Sequence, residues 1–157
     1  MKDFSHLNEQ GLANMVDVGD KKITKRIATA RSIVVMPPEL KDKLIDGEIQ
    51  TKKGAVVQTA IIAGIMAAKK TGELIPLCHP LGLDNCEIHF SFHDNEMIID
   101  CTASVSARTG IEMEAMVGAS VAALTVYDMC KAISHDIIIK ETKLMAKSGG
   151  KNDFRRS

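Results

Sequence analysis

The stretch CEIHFSFHDNEMIIDCTASV, residues 86–105, decides the fold of this 157-residue chain. Apolar and polar residues alternate through residues 86–93 and again through residues 96–105, and Asp94-Asn95 lies between the two runs. Alternation with a period of two is typical of a strand with one buried face, and a short polar turn joins two such strands in a hairpin. The stretch therefore predicts an antiparallel strand pair whose apolar face needs a covering layer.

The segments around this hairpin predict that layer and the remaining strands. They are, in chain order, a strand at 25–36 that Pro37-Pro38 ends, a short helix at 39–46 before Gly47, a helix at 55–70 that Thr71-Gly72 ends, a helix at 111–133 and a last strand at 136–146. This order predicts an α+β fold, a ferredoxin-like plait with helices packed on one face of an antiparallel sheet. We expect a single domain over residues 1–157, with an extended arm at 1–20 and a flexible Gly/Lys tail at 147–157.

Composition argues against several classes of protein. The formal net charge is zero and aromatic residues make up 3% of the chain, so we expect neither a basic surface nor stacking platforms for nucleic acid. The longest apolar run, residues 60–68, is far shorter than the roughly 20 residues of a membrane span, and the start has no signal-peptide pattern. Four cysteines without C-x-x-C spacing favour free thiols. We expect a cytoplasmic protein that binds no nucleic acid, membrane or metal.

The predicted helix at 111–133 carries the first candidate site. Asp128 and Lys131 lie about 60° apart on it, and Glu114 lies within about 40° of Asp128 but roughly 20 Å away along the axis. Charges in an apolar helix are rare unless they are paired or needed for chemistry, so we expect a shielded Asp128/Lys131 pair that transfers protons. The alternative is an exposed ion pair that contributes about a few tenths of a kcal/mol.

Three further segments are weaker candidates, and each has an ordinary structural interpretation. Lys52-Lys53-Gly54 precedes a helix N-terminus, which binds anions, although a solvated turn explains the same residues. Cys78-His79-Pro80 lies in a stiff loop, where the histidine is a donor, a base or, with little support from the spacing of other His and Cys, a metal ligand, unless its role is structural. Residues 147–151 form a flexible end or a phosphate clamp, because their glycines admit close approach of an anion. Together the segments indicate a site for an anionic, phosphorylated small molecule.

Seven motifs spread over residues 6–151 carry a resemblance to a known family. They are HLN (6–8), MVDV (15–18), KG (53–54), IPLCHPL (75–81), TGIEMEA (109–115), YDMCKA (127–132) and KSGGK (147–151). In these motifs the chain resembles the cyclic pyranopterin monophosphate synthase family, the protein C family of molybdenum cofactor biosynthesis. The resemblance implies a ferredoxin-like subunit in a homohexamer, a trimer of dimers with active sites at subunit interfaces, and no cofactor. It also implies a triphosphate substrate, (8S)-3′,8-cyclo-7,8-dihydroguanosine 5′-triphosphate, which is rearranged with loss of diphosphate.

Carried over motif by motif, the resemblance implies that Asp128 and Lys131 are catalytic, with Lys53 a second catalytic lysine. The residues that it implies for substrate binding are Leu77, Cys78, His79, Glu112, Met113 and Glu114, with Arg26, Lys147 and Lys151 for the triphosphate. A ring rearrangement needs protons placed and removed in sequence, which suits paired lysines. We expect one lysine as general acid and the other as general base, in either order.

Two other functions remain open at this point. A non-catalytic nucleotide-sensing module of the same fold needs an anion site but no tuned lysine–aspartate pair. A thiol enzyme would use Cys78, and replacing that residue by serine is expected to be mild if the rearrangement is the activity. Pyrophosphate release from the cyclised substrate separates the catalytic function from the sensing function.

Overall fold

The first strand ends just before Pro37-Pro38, as predicted, and helices and further strands follow it. The computed structural model describes residues 4–157. Its elements are, in chain order, β1 (Thr24–Val35), α1 (Pro38–Lys41), β2 (Gln50–Thr51), β3 (Gly54–Ala55), α2 (Val56–Lys69), α3 (Thr71–Leu74), β4 (Asn85–His93), β5 (Glu96–Ala107), α4 (Glu112–Cys130), β6 (Ile138–Ser148) and β7 (Phe154–Arg155). The two long helices are confirmed to within about three residues at each end.

Five strands form one sheet in the order β4-β5-β1-β6-β7, and every neighbouring pair in it is antiparallel. The strands β2 and β3 form a separate small hairpin. Apart from these short elements, the chain order is β1, α2, β4, β5, α4 and β6, and β1 lies between β5 and β6. This is the ferredoxin-like plait, with α2 and α4 packed together on one face of the sheet. The predicted fold class is therefore confirmed.

The hairpin predicted at residues 86–105 is present as β4 and β5, and its register sets the core. Phe92 lies opposite Met97, and Ile88 lies opposite Cys101, so the apolar residues of both strands share the face beneath the helices. Met97, Ile99 and Cys101 are fully buried there. Burial of apolar surface stabilises a fold by roughly 25 cal/mol per Å², which is why the alternating pattern requires the helical layer.

The helix α4 lies at the centre of that layer, where it contacts α2, β1, β5 and β6. Small residues let α4 approach the sheet and α2 closely. Ala28 and Ala30 of β1 are buried, and Gly118 of α4 faces Gly64 of α2. Within residues 4–157, α4 is the one helix long and apolar enough to cross a bilayer by length and composition alone. Its buried contacts with α2 and the sheet are those of a core helix, and core helices pass the same test.

The prediction of a helix at residues 39–46 is wrong beyond its first turn. The helix α1 covers only Pro38–Lys41, and Asp46 and Gly47 have positive φ angles of 50° and 75°. These two residues form a tight turn whose flanking residues exchange backbone hydrogen bonds of 2.9 and 3.0 Å. A glycine at this point suits both a helix end and a two-residue turn, so its presence did not distinguish the two structures.

The predicted arm and tail contain little regular structure. Residues 1–3 of the arm lie outside the described residues, and from residue 4 to residue 23 the chain forms turns and a bridge between Leu7 and Ala13. At the other end β6 continues to Ser148 and β7 pairs with it, so part of the predicted tail is strand. The mobility of both segments stays a prediction.

Replacing Gly64 by alanine is expected to destabilise the fold by about 1–3 kcal/mol, as overpacking does. The added methyl group would overlap the Ile88 side chain and lie 2.7 Å from the Gly118 carbonyl oxygen, which is backbone and cannot rotate away. Gly82→Ala is the matched control, since a methyl group there meets nothing within 4 Å. Urea unfolding followed by circular dichroism measures both variants, and equal stabilities would contradict the close contact between the helices.

Candidate active site

Three charged side chains meet at the C-terminal end of α4, in what we call the lysine–aspartate cluster: Lys53, Asp128 and Lys131. Lys131 Nζ lies 3.0 Å from Asp128 Oδ1, and Lys53 Nζ lies 3.3 Å from Asp128 Oδ2. Lys53 Nζ is also 3.3 Å from the Asp128 carbonyl oxygen. Lys53 comes from the turn between β2 and β3. The structure thus brings together the three residues predicted to be catalytic.

The expectation that the Asp128/Lys131 pair is shielded is wrong for the single chain. The two side chains are 57% and 48% exposed, because they lie on the outward side of α4 with Leu124, which is also exposed. Hydrogen bonds from Lys131 and then Lys53 hold the pKa of Asp128 below its usual range. Asp128 is therefore ionised at neutral pH and lies between two ammonium groups.

The N-terminus of α2 does not provide the anion site considered for residues 52–54. Its N-cap residue Ala55 makes no side-chain hydrogen bond. The carboxylate of Glu48 accepts the N–H groups of Val57 and Gln58 instead, at 2.7 and 3.2 Å. This helix end already binds an anionic group of the chain itself, so the lysines of the turn act through their side chains.

A cavity of about 650 Å³ lies at the opposite end of α4. All nine residues predicted to contact the substrate line it: Arg26, Leu77, Cys78, His79, Glu112, Met113, Glu114, Lys147 and Lys151. They come from β1, the loop after α3, the start of α4, the end of β6 and the glycine-rich segment behind it. The structure therefore gathers these residues around one space of the size that small-molecule ligands occupy.

Gly149 directs the glycine-rich segment across β1 and into the cavity wall. Its φ of 91° is in the left-handed region, and a methyl group there would overlap the Lys25 carbonyl oxygen. Thr24 Oγ1 donates a hydrogen bond of 2.7 Å to the Gly149 carbonyl. This close crossing places Lys147 and Lys151 on the cavity, which favours the phosphate clamp over a free end.

Two cationic side chains of the cavity, those of Lys147 and Arg26, have partners within the chain. Lys147 Nζ lies 3.0 Å from Glu112 Oε1. The Arg26 guanidinium donates to the carbonyl oxygens of Ala107 and Arg108 at 3.3 and 3.2 Å. These contacts hold one cation beside the start of α4 and the other beside the end of β5, so both point at the same space.

Burial raises the pKa of two acidic groups of the cavity. Glu114 is 3% exposed, and burial, followed by the nearby charge of Glu112, raises the pKa of its carboxyl. Burial and the charge of Glu114 likewise raise the pKa of the Cys78 thiol. A nucleophilic thiol needs a lowered pKa, so the environment of Cys78 argues against the thiol enzyme.

His79 connects the cavity to the N-terminal arm. Its Nε2 lies 2.7 Å from the carbonyl oxygen of Val16, and because a carbonyl only accepts, Nε2 carries the proton. Of the roles considered for this histidine, the structure shows a hydrogen-bond donor. The bond holds the arm against the cavity wall.

Residues of the arm, of the short segment after it and of the start of β1 also line the cavity, and sequence reasoning missed them. His6, Lys21, Lys22 and Thr24 line the space beside the predicted residues. The adjacent lysines Lys21-Lys22 are typical of an anion site. Their segment has no helical or strand periodicity, however, so the sequence did not indicate where in the fold these lysines lie.

The cavity and the lysine–aspartate cluster are separate in the single chain. None of the cluster's three residues lines the cavity, in agreement with the separation of roughly 20 Å along α4. Within residues 4–157, no three His, Cys, Asp or Glu side chains lie together as a metal site. The single chain therefore has a cavity lined by cationic side chains at one end of α4 and the lysine–aspartate cluster at the other.

The fold and these two places define a ferredoxin-like protein that binds an anionic small molecule. The MoaC family model matches residues 15–150, and the chain belongs to the MoaC family.

Three relatives show how far the similarity extends. A cyclic pyranopterin monophosphate synthase of Xanthomonas campestris pv. campestris (strain 8004) is 51% identical over 96% of this chain and 92% of its own length. The synthase of Staphylococcus carnosus is 49% identical over 99% of this chain and 98% of its own. Molybdenum cofactor biosynthesis protein 1 of Dictyostelium discoideum is 45% identical over 96% of this chain but only 27% of its own, so there the same domain is part of a longer chain.

Glu114→Gln is expected to raise thermal stability near neutral pH. The folded-state pKa of Glu114 is raised above its ordinary value of 4.5, so the native protein loses stability as pH rises from 4.5 through the folded pKa. The glutamine variant avoids this loss, so its advantage in Tm should grow as pH rises above 4.5 and level off once pH exceeds the folded-state pKa of Glu114. Melting curves by circular dichroism measure it, with the exposed Glu73→Gln as the control. A Glu114→Gln advantage that does not change with pH would contradict this account.

Proposed function

We propose that this protein converts (8S)-3′,8-cyclo-7,8-dihydroguanosine 5′-triphosphate to cyclic pyranopterin monophosphate with release of diphosphate, a lyase step of molybdenum cofactor biosynthesis. The observation that carries the proposal is the similarity of about one residue in two, over nearly the whole of both chains, to relatives named as cyclic pyranopterin monophosphate synthases. The proposal includes a cytoplasmic location, in keeping with four cysteines that are all free.

The lysine–aspartate cluster is assigned the proton transfers. Lys53 acts as general acid in its ammonium form and Lys131 as general base in its neutral amine form, and Asp128 orients both side chains through contacts of 3.3 and 3.0 Å. Ring opening and ring closure each move protons between nitrogen, carbon and oxygen. Two lysines on one carboxylate can therefore give and take a proton without leaving their positions.

The cavity is assigned the binding of the substrate. Glu112 or Glu114 accepts hydrogen bonds from the guanine-type N–H edge, which presents donors to a carboxylate. Arg26, Lys147 and Lys151 bind the phosphate chain and stabilise the charge that accumulates as diphosphate leaves. The ion pair of Lys147 with Glu112 already holds this lysine beside the expected ligand.

In this proposal the active site contains residues of two subunits. Glu114 and Asp128 lie equally far from Val121 in the sequence, so an antiparallel contact of two α4 helices about a two-fold axis near Val121 places one chain's Glu114 beside its partner's Asp128. Ser120 and Leu124 are among the residues on the partly exposed face of α4. Dimers of this kind assembled by three give the expected homohexamer.

The two other functions receive less support. A nucleotide-sensing module has no need for Lys53 to reach across to Asp128, yet that contact is present. A thiol enzyme is disfavoured because the pKa of Cys78 is raised.

Lys53→Ala and Asp128→Asn are each expected to lower kcat by roughly 10²–10⁴-fold, the usual contribution of a general acid or base. Pyrophosphate release from the cyclised substrate measures the rate. Lys52→Ala is the matched control, since this neighbouring lysine is exposed and lies outside the cluster. All three variants should melt near the wild-type temperature, because the cluster is exposed. Turnover near the wild-type rate for Asp128→Asn would refute the assignment.

Co-expression of two inactive chains tests whether the site is shared between subunits. One chain carries Asp128→Asn, and the other carries Glu114→Gln with Lys147→Ala. Random pairing makes half of the dimers mixed, and each mixed dimer has one intact site, so roughly a quarter of wild-type activity should return. Each chain expressed alone is the control. If the mixture remains as inactive as its parents, the site lies within one chain.

A further inference from the structure

The carboxylate of Glu48 accepts three backbone N–H groups. Its Oε1 accepts from Ile49 at 2.8 Å and from Val57 at 2.7 Å, and its Oε2 accepts from Gln58 at 3.2 Å. The first turn of α2 contains no acidic residue, and its own N-cap residue makes no side-chain bond. Glu48 therefore caps α2 from outside the helix, in the role that a serine or aspartate usually has at the N-cap.

These bonds close a loop whose tip carries Lys53. At the base of the loop Val56 N–H donates to the Ile49 carbonyl at 2.9 Å, and both residues are fully buried. Between base and tip, β2 pairs with β3. Residues 49–56 thus form a small hairpin that Glu48 joins to the first turn of α2.

Glu48 is itself held in place, and it lies near the end of α4. Residues 45 and 48 exchange backbone hydrogen bonds across the tight turn at Asp46-Gly47, which fixes the backbone of Glu48. Burial and then the charge of Glu48 raise the pKa of Cys130, the residue before Lys131, to about 11. The carboxylate therefore stands close to both elements that meet in the lysine–aspartate cluster.

The contact of Lys53 with Asp128 needs such support. Both side chains are more than half exposed, at 53% and 57%. An ion pair between exposed, flexible side chains is weak and does not hold a lysine in one geometry. The placement of Lys53 then depends on the backbone of the hairpin.

We propose that Glu48 is a positioning residue, which holds the Lys53 ammonium against Asp128 by capping α2 and pinning the base of the β2–β3 hairpin. It touches no reacting atom and acts only through Lys53. The expected effect of Glu48 on kcat rests on the proposed function, whereas its effect on the distance between Lys53 and Asp128 does not.

Glu48→Gln tests the proposal by kinetics. A glutamine places an amide NH₂ against backbone donors, so the hairpin base loosens and Lys53 shifts. Kcat should fall by roughly 10- to 100-fold, as for a misplacement of about 1 Å, while KM stays within about threefold because the cavity is unaffected. Glu73→Gln, an exposed carboxylate elsewhere, should match the wild type. Wild-type kcat for Glu48→Gln would overturn the proposal.

A second variant separates positioning from simple capping. Ala55 has the extended conformation of an N-cap, with φ −74° and ψ 121°, so Ala55→Asp can cap the same helix end locally. In the double variant Glu48→Gln/Ala55→Asp we expect Tm to return toward the wild-type value while kcat stays low. If kcat recovers together with Tm, Glu48 only stabilises α2 and the proposal is wrong.

A crystal structure of Glu48→Gln gives a readout that needs no turnover. Separation of Lys53 Nζ from Asp128 Oδ2 beyond about 4 Å, the limit of an ion pair, supports the proposal. An unchanged contact overturns it. If the wild-type protein releases no pyrophosphate from the cyclised substrate, the proposed function fails, and this distance still decides the role of Glu48.

Discussion

The close packing of α4 against α2 and the sheet is the constraint on which the other features depend. It requires small residues wherever backbones approach, such as Ala28 on β1 and the pair Gly64 and Gly118 between the helices. A helix held this tightly cannot carry charge along its middle, where desolvation would be costly. Its ionisable residues are therefore confined to its first turn and its last turn, the two places to which the proposed function assigns a role.

The two ends use electrostatics in opposite ways. At the first turn, burial raises the pKa of Glu114 and reduces stability at neutral pH, a cost tolerated where a carboxylate recognises a ligand. At the last turn, two lysines lower the pKa of Asp128 in an exposed position, where little stability is at stake. The proposed function thus assigns ligand binding to the buried end of the helix and proton transfer to the exposed end. A partner subunit that covers Asp128 would add the desolvation that proton transfer benefits from.

Much of the fold was predictable because its signals are local. Alternation in residues 86–105 and the two long apolar segments were sufficient for the plait, whereas the 39–46 helix was mistaken because Gly47 also suits a tight turn. Within the site, the motifs identified the cavity residues, but composition did not reveal that Asp128 faces outward. The cap by Glu48 had no sequence signal, since its partners on α2 lie nine and ten residues away and are backbone groups.

One consequence of α4 concerns its length. If the site is shared as proposed, the length of this helix determines whether Glu114 of one chain lies beside Asp128 of the other. Inserting one residue near Val121 would move the ends apart by about 1.5 Å and rotate one against the other by about 100°. The loops of this fold can absorb insertions, but a change of one residue in α4 would misalign both halves of the site. Related chains that share the site in this way should therefore keep the spacing between Glu114 and Asp128 constant.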